Sequence, residues 1–339
     1  MRRVGLDARL TRQMSVGMKA YAQELSTRLP RIAPDLAFSL FTTGENFGVA
    51  EQLGLPRAIR NARVDLTHFL ALYLPWFAPR PYIVTIHDII HLRFPEYFTS
   101  KVGPYYRLAV RRACARAERV VTDDERTVED LQRFLGVEKA KIRVIPLGVR
   151  ELFLREHAPR TVGRPYILYV GNHRAHKDIG TLFAAWAALE PGLQIDLLLT
   201  GADDFARERV KFGRPGGRIV ALGDVSDEEL AGYYAGALAL AHPALSEGFG
   251  LPLLEAMASG CPVVACDDAI PGSLRSAALT FPARDVGALT AQLQRALVDV
   301  GVRADLRARG RKVAETLTWD RCAEHTANVY REVLEGVPK

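Results

Sequence analysis

Short apolar runs alternate with longer stretches of helical period along most of the chain. The strands predicted in the first half lie near Arg3–Leu6, Ala37–Thr42, Tyr82–His87, Arg119–Thr122 and Ile142–Ile145, and the clearest helices are Met18–Arg28 and Glu125–Phe134. Strands that alternate with helices are typical of a parallel sheet covered by helices.

A second series of the same kind follows an irregular stretch. From Pro146 to Pro165 the chain reads PLGVRELFLREHAPRTVGRP, which has no clear period and is predicted to be a linker. The pattern then restarts with a strand at Tyr166–Val170, a helix at Ile179–Leu189 and a strand at Ile195–Gly201. Ser226 and Glu229 have the spacing of a capping box ahead of a further helix. The sequence therefore predicts two successive doubly wound α/β domains, with a ligand cleft between them.

The length and composition agree with two soluble domains. The chain has 339 residues, of which 48% are hydrophobic and 25% charged, enough apolar material for two cores. We expect domains at residues 1–150 and 151–318, followed by a C-terminal helix at 319–339 that could return to the first domain. No stretch approaches the ~20 apolar residues of a membrane span, and MRRVGLDARL lacks the apolar segment of a signal peptide, so a cytoplasmic chain is predicted.

The charge of the chain restricts the class of ligand or surface it can bind, and its cysteine content indicates the state of the thiols. The chain carries 45 basic and 39 acidic residues, a net charge of +6, which favours an anionic ligand or surface, with nucleic acid as only one candidate. The basic residues are spread out apart from one segment, and we predict no nucleic-acid partner. The basic segment Lys101–Arg119 fits either peripheral contact with an anionic membrane or an ordinary solvated helix face. The four cysteines have no C-x-x-C spacing and are expected to be buried reduced thiols.

Candidate chemistry is concentrated in SEGFGLPLLEAMASG, Ser246–Gly260. No dinucleotide fingerprint, P-loop or hydrolase elbow occurs in the chain. Pro252 suits the first position of a helix running from about Pro252 to Gly260, with Glu255 in its first turn. The free N–H groups and the dipole at this helix start attract anions, and Glu247 lies on the other side of the glycine turn.

The segment SEGFGLPLLEAMASGCPVVA closely resembles the E-x7-E signature of the retaining glycosyltransferases of family 4, which have the GT-B fold. Five further segments are similar to that family's in the same order, namely TIHDIIHLRFPEYF, VIPLGV, YVGNHRAHKDIGTL, LGDVSDEEL and TWDRCAEHTANVYREVL. The resemblance implies two Rossmann-like domains, the first binding the acceptor and the second the nucleotide sugar. It also implies transfer of a sugar to a hydroxyl without a metal.

The resemblance assigns roles to the residues of this signature. Glu255 would bind the ribose of the donor and Glu247 the hexose and its anomeric face. The backbone of Phe249, Gly250 and Leu251 would hold the hexose hydroxyls and the distal phosphate.

Four further donor contacts follow from the resemblance. Lys177 would bind the donor diphosphate, and the second cation is either Arg174 or His176. Arg174 is preferred because guanidinium is always charged and binds phosphate bidentately. Gly17 would lie near the donor phosphates, and the base would lie near LGDV, which ends at Val225.

His87 would contact the donor sugar, and Asp88 would orient either His87 or the acceptor. His242 is expected to be structural. The aromatic stretch His68–Pro79 is predicted to line an acceptor groove or to fill a core.

The function implied is retaining transfer of a hexose, with mannose favoured, in the synthesis of a surface polysaccharide or glycolipid. The donor would be a GDP- or UDP-sugar, with GDP-mannose preferred, and the acceptor a glycan or a lipid-linked glycan. The alternatives are a catalytically inactive glycosyltransferase-like binding subunit and a nucleotide-sugar epimerase of the same fold.

Overall fold

A computed structural model describes residues 1–336 of the chain. The predicted C-terminal segment 319–339 therefore has its last three residues outside the described part. The chain divides into two compact units. The first consists of Met1–Gly148 together with the chain from Thr318 onward, and the second is Val149–Leu317.

The first unit is built on a six-stranded parallel sheet with the strand order β2-β1-β3-β4-β5-β6. Its strands are β1 Arg2–Asp7, β2 Leu36–Phe41, β3 Leu66–Phe69, β4 Tyr82–Thr85, β5 Arg119–Thr122 and β6 Ile142–Val144. Strand β3 was not predicted, although it lies in the middle of the sheet and all four of its residues are buried. It opens a long apolar stretch whose period does not separate strand from loop. Strand β4 ends two residues earlier than predicted, so His87 lies in the loop that follows it.

The second unit repeats this architecture with the order β12-β11-β10-β7-β8-β9. Its strands are β7 Tyr166–Tyr169, β8 Asp196–Thr200, β9 Ile219–Gly223, β10 Ala239–His242, β11 Val263–Cys266 and β12 Ala278–Phe281. From β7 the chain proceeds outward on one side through β8 and β9, and then returns to build the other side from β10. The strand order therefore reverses between β7 and β10, and this is where doubly wound sheets bind ligands, at the carboxyl ends of the strands.

Helices cover both sheets, which confirms the predicted fold class of two doubly wound α/β units. They are α1 Val16–Ile32, α2 Leu55–Asn61, α3 Ile90–Arg93, α4 Val102–Tyr105, α5 Arg111–Arg116, α6 Glu125–Leu135, α7 Glu151–Leu154, α8 Ile179–Ala187, α9 Ala206–Phe212, α10 Asp227–Gly236, α11 Leu251–Ala258, α12 Gly272–Arg275, α13 Val286–Val298, α14 Val300–Thr316 and α15 Trp319–Glu335. In residues 1–336, no helix combines the length and the apolar character that crossing a bilayer requires.

Two helix starts show how the sequence sets local structure. At α10 the predicted capping box is confirmed, because the Ser226 hydroxyl accepts from the Glu229 N–H at 3.2 Å and the Glu229 carboxylate accepts from the Ser226 N–H at 3.0 Å. Helix α11 begins at Leu251 and ends at Ala258, whereas a helix from Pro252 to Gly260 was predicted. Gly250 has φ +75°, a left-handed conformation that glycine adopts without strain, and it turns the chain into the helix one residue early. Glu255 consequently lies just beyond the first turn.

Helix α15 packs on the first unit, although it is far in the sequence from most of that unit's residues. Arg31 donates to Asp320 at 2.8 Å, and Arg28 pairs with the same carboxylate. At the junction before α15, Gly148 lies so close to the backbone of Trp319 that a Cβ atom on it would be 2.0 Å from the Trp319 nitrogen. The return of the chain to this unit thus requires a residue without a side chain at position 148.

All four cysteines are buried and unpaired, as predicted. They are Cys114, Cys261, Cys266 and Cys322. Burial raises the pKa of Cys114 and of Cys261 to about 12. The thiols therefore stay protonated and act as small apolar side chains.

Candidate active site

The loops that follow β7 and β10 meet at the point where the strand order of the second unit reverses. The N–H of Leu245, after β10, donates to the carbonyl of His176, after β7, at 2.8 Å. Lys177 lies in a single 3₁₀ turn, Ala175–Lys177, and its ammonium forms an ion pair with Glu247. The sequence places these two residues 70 positions apart, and the neighbouring parallel strands bring them together.

The ion pair of Lys177 and Glu247 is nearly enclosed, with side-chain exposures of 11% and 13%. His242 adds a third group, since its Nε2 lies 2.9 Å from Glu247 Oε1, off the line of a straight hydrogen bond. Burial by itself raises the pKa of Glu247, but the Lys177 ammonium and the His242 ring hold it well below the usual range. Glu247 is therefore a permanent carboxylate at neutral pH. His242, expected to be structural, is part of this cluster.

Glu255 lies in α11 among a different set of groups. Arg150 Nη2 donates to Glu255 Oε1 at 3.3 Å and the Tyr234 hydroxyl to Oε2 at 3.5 Å, both of them long contacts. Arg150 is itself held by a bidentate pair with Asp227, the first residue of α10. Burial raises the pKa of Glu255 to about 7 against the lowering effect of Arg150. This carboxyl therefore changes charge close to neutral pH.

The glycine turn between the two glutamates is buried at Phe249, which is 4% exposed. In any helix the first N–H groups have no acceptor inside the helix, and here they belong to the turn around Gly250 and Leu251. The helix dipole adds partial positive charge at the same place. The turn can therefore bind oxygen atoms of an anion or a polyol through its backbone.

The remaining residues predicted to bind the donor differ in exposure. Arg174 is exposed, whereas the alternative, His176, is buried at 5%. Val225 is half-buried directly before the cap of α10. Gly17, in the first unit, lies in the first turn of α1, whose cap Ser15 accepts from the Met18 N–H at 3.3 Å.

In the first unit, His87 is paired with Asp123. The loops after the neighbouring strands β4 and β5 place His87 Nδ1 2.6 Å from Asp123 Oδ2, and His87 Nε2 is 3.3 Å from the carbonyl of Leu70. Burial by itself lowers the pKa of His87, but the Asp123 carboxylate raises it above its ordinary value. Asp88 instead accepts from the Ile90 N–H at 3.1 Å. The carboxylate that orients His87 is thus Asp123.

Sequence reasoning missed Asp123, Arg150 and His242. A signal existed for Asp123, because VTDD ends a predicted strand just as TIHD does, and parallel strands end at the same edge. His242 likewise ends the strand that leads to Glu247. Arg150 carried no signal, since it lies in the stretch taken as an irregular linker.

The aromatic stretch His68–Pro79 has a buried first part and a later part at the surface. Its first residues, His68 to Leu70, are buried in β3 and the loop after it. Leu74, Pro75 and Trp76 instead line a shallow surface recess together with Tyr105, Arg112 and Arg116. The first residues therefore fill a core, and an acceptor groove at the later ones stays a prediction.

No group of three or more His, Cys, Asp or Glu side chains with the arrangement of a metal site occurs in residues 1–336. Lys177 and the exposed Arg174 are two cationic residues of the loop that follows β7. The backbone of the glycine turn adds neutral donors beside them.

Two family models match the chain. Residues 18–151 match the model described as Glycosyltransferase Family 4, and residues 164–299 match the model described as Glycosyl transferases group 1. The second match falls within the second unit, and the first match lies in the first unit except for its last three residues, 149–151. Each unit is therefore recognised separately as half of a glycosyltransferase.

Named relatives and solved structures agree. The O-antigen chain mannosyltransferase B of Escherichia coli is 29% identical over 81% of this chain and 76% of its own length. The O-antigen chain mannosyltransferase RfbU of Salmonella typhimurium is 28% identical over 54% of this chain and 51% of its own. HepE of Anabaena, solved with UDP and glucose, is 18% identical with a TM-score of 0.76, covering 98% of this chain and 100% of that one.

The two parallel six-stranded sheets with their covering helices match the structures of GT-B glycosyltransferases. The chain belongs to the group 1, family 4 glycosyltransferases and is an enzyme of the hexosyltransferase type. The resemblance found in the sequence is confirmed.

Proposed function

We propose that this glycosyltransferase moves a mannose from a nucleotide-diphosphate sugar to a hydroxyl of a glycan or lipid-linked glycan, with retention of anomeric configuration. The observation that carries the proposal is the buried cluster of Glu247, Lys177 and His242 beside the glycine turn that leads to α11. Similarity to two O-antigen mannosyltransferases supports mannose and a surface-polysaccharide acceptor.

The second unit supplies complementary groups for each part of a nucleotide sugar. Glu255 accepts hydrogen bonds from the ribose hydroxyls, and Val225 lies near the base. Lys177 binds the diphosphate, with Arg174 as the second cation because it is exposed and permanently charged. The backbone at Phe249, Gly250 and Leu251 holds the hexose hydroxyls and the distal phosphate.

The transfer step breaks the bond between the anomeric carbon and the phosphate oxygen and forms a bond from that carbon to the acceptor oxygen on the same face. The acceptor's proton passes to the departing phosphate oxygen. Lys177 stabilises the negative charge that develops on that phosphate, and Glu247 stabilises the positive charge on the sugar ring. A permanent carboxylate suits this role, and the low pKa of Glu247 provides one.

His87 is proposed to orient the sugar and stabilise charge in the same step, with Asp123 fixing the orientation of its ring. A histidine whose Nδ1 is bound to a carboxylate presents its Nε2 in one direction. Asp88 keeps its proposed role toward the acceptor.

Replacement of the charged pair tests this assignment. Glu247→Gln keeps the shape of the side chain but removes the charge that balances Lys177, so turnover should fall by about 10²-fold or more. The measurement is transfer of labelled mannose from GDP-mannose to a lipid or polysaccharide extract. Glu315→Gln, an exposed glutamate of the same unit, is the matched control and should leave turnover unchanged. Unchanged turnover in Glu247→Gln would overturn the site.

The nucleotide is tested by thermal shift with GDP and with UDP. GDP follows from the mannose donor proposed here, whereas HepE was solved with UDP. A ligand that binds only the folded chain raises its stability by RT ln(1 + [L]/Kd). A larger rise in Tm with GDP than with UDP at equal concentration supports a GDP-sugar donor, and the reverse order contradicts it.

We further propose that the first unit contacts an anionic membrane surface, where lipid-linked acceptors are found. Between Val102 and Arg116 the chain is helical, with a wider turn at Tyr106–Val110. The exposed residues of this segment include Lys101, Arg107, Leu108, Arg111 and Arg116. The guanidinium of Arg112 lies 4.9 Å from the ring centre of Trp76, and the adjacent Phe77 is 68% exposed. Exposed aromatic rings beside cationic side chains suit the headgroup region of an anionic bilayer.

A further inference from the structure

A series of buried, hydrogen-bonded polar side chains runs through the first unit from helix α15, by way of strands β3 and β4, to helix α1. The hydroxyl of Tyr330, on α15, is 2.7 Å from His68 Nδ1, on β3. His68 Nε2 is 2.8 Å from the hydroxyl of Thr85, on β4. That hydroxyl is in turn 3.0 Å from the hydroxyl of Tyr21, on α1. All four side chains are at most 1% exposed, so water does not compete for these bonds.

This series of side chains ends at the ring of His87. The ring of Tyr21 meets the imidazole of His87 edge to face, with 4.7 Å between ring centres and an angle of 86°. Of the groups that contact the His87 ring, Asp123 binds Nδ1 and the Leu70 carbonyl is close to Nε2. These two fix the direction of the nitrogens, whereas the Tyr21 ring packs against the imidazole nearly at a right angle.

The hydrogen-bond donors and acceptors in this series are complementary. Burial lowers the pKa of His68 to about 3, so its ring is neutral and has one donor and one acceptor nitrogen. It therefore needs one hydroxyl on each side, and Tyr330 and Thr85 provide them. A buried network in which every member is satisfied holds its side chains in one arrangement.

We infer that Tyr21 is a positioning residue for His87 and is itself held in place by the series Thr85, His68 and Tyr330. The packing of α15 on the first unit therefore affects the position of the imidazole. The inference rests on the proposed role of His87 in sugar transfer. Tyr330 is 243 residues from His87 in the sequence and is linked to it through this series.

Thr85 offers a matched pair of variants, because its hydroxyl contacts both His68 and Tyr21. Thr85→Val keeps the branched shape and removes both hydrogen bonds, whereas Thr85→Ser keeps the hydroxyl. Misplacement of a reacting group by a fraction of an ångström to 1 Å lowers rates by up to about 10²-fold. We expect Thr85→Val to lower kcat about tenfold with little change in the KM for donor, and Thr85→Ser to restore most of it.

A spectroscopic signal separates positioning from general loss of structure. In protein with labelled histidine, the proton shared by His87 and Asp123 gives its own resonance, which His87→Asn identifies. Thr85→Val should shift or broaden this resonance and Thr85→Ser should leave it in place.

A second variant keeps the test open if Thr85→Val does not fold. Tyr330→Phe removes the outermost hydroxyl and should lower kcat and disturb the same resonance. Tyr166→Phe is the control: it removes a hydroxyl bound to the carbonyls of Arg160 and Tyr233 in the second unit, and both readouts should stay at wild type.

Two failures are distinguishable. If His87→Asn retains full turnover, the role of His87 in transfer is wrong, and this inference is wrong with it. If His87→Asn is inactive while Thr85→Val and Tyr330→Phe keep wild-type kcat and the wild-type resonance, the role of His87 stands and the positioning series is overturned.

Discussion

Glu247 and Glu255 are eight residues apart, and their surroundings drive their pKa values in opposite directions. Both are largely buried, so burial raises both values. Glu247 has the ammonium of Lys177 beside it, whereas the cation that contacts Glu255 is Arg150, at a longer distance and with its charge shared with Asp227. One carboxylate is therefore permanent, and the other titrates.

Donor binding should consequently depend on pH through Glu255. Only the ionised carboxyl accepts hydrogen bonds from two ribose hydroxyls, so the affinity for a nucleoside diphosphate should rise as the pH passes through about 7. Calorimetric titration between pH 6 and pH 8 measures it. Glu255→Gln removes the titrating group and leaves the phosphate's own protonation in place, so its affinity should change less over this range. Identical pH profiles would contradict the assignment.

The same raised pKa affects folding. A carboxyl that binds its proton more tightly in the folded state favours folding at low pH, and this contribution is lost as the pH rises from about 4.5 to about 7. The free energy of unfolding of the wild type should therefore fall, relative to Glu255→Gln, across that window. Urea unfolding at several pH values measures the difference, and a constant difference would count against a buried, protonated Glu255.

At the scale of elements, strand ends decide which side chains meet. The predicted strands agree with the structure to within two residues, and β5 has the predicted bounds. The runs do not show which strands are neighbours. Lys177 meets Glu247, and His87 meets Asp123, because β7 lies beside β10 and β4 beside β5. Strand order depends on long-range packing, so the sequence marks Asp123 and His242 as residues at strand ends but does not show which side chains they meet.

The junction between Gly148 and α15 makes a strong test of element packing. In Gly148→Ala the new methyl group would overlap the backbone at Thr318 and Trp319, which cannot move aside as a side chain can. We expect a loss of about 3 kcal/mol or more in the free energy of unfolding, measured by urea titration. Gly180→Ala is the control, since nothing lies within 4 Å of its Cβ position, and in helix α8 it should stabilise by roughly 0.5–1 kcal/mol. Equal effects of the two substitutions would contradict the packing described.

Helix α10 provides a milder test at the same scale. Ser226→Ala removes the capping hydroxyl and should lower the free energy of unfolding by about 1 kcal/mol, as measured by urea titration. Ser226→Asp keeps an acceptor at the cap and should retain most of the stability. Wild-type stability in Ser226→Ala would show that the cap is dispensable.

At the scale of the whole molecule, each unit has its own parallel sheet, and α15 joins the last part of the chain to the first unit. The restart of the strand-helix pattern after Pro165 predicted two such sheets. The resemblance supplied the family, since composition and period are common to many α/β proteins. The assignment of acceptor and donor to the two units stays a prediction.

Association with membranes can be measured on the intact chain. The protein should sediment with vesicles containing anionic lipid more than with neutral vesicles, and less at high salt, because lysine and arginine near such a surface contribute about 1 kcal/mol each. Substituting serine for Trp76 and Phe77 should reduce the bound fraction. Val210→Ser is the control, because Val210 is an 88% exposed apolar residue of the second unit. Equal binding to neutral and anionic vesicles would contradict the proposal.

The burial of all four cysteines has a practical consequence for labelling experiments. Thiol-reactive dyes and spin labels attack the exposed thiolate, and the native sulfhydryl groups are both enclosed and protonated. A single cysteine introduced at Phe77 would therefore be the preferred point of attachment in the otherwise unmodified chain. A dye placed there would report directly, by its change in emission, whether this surface enters lipid.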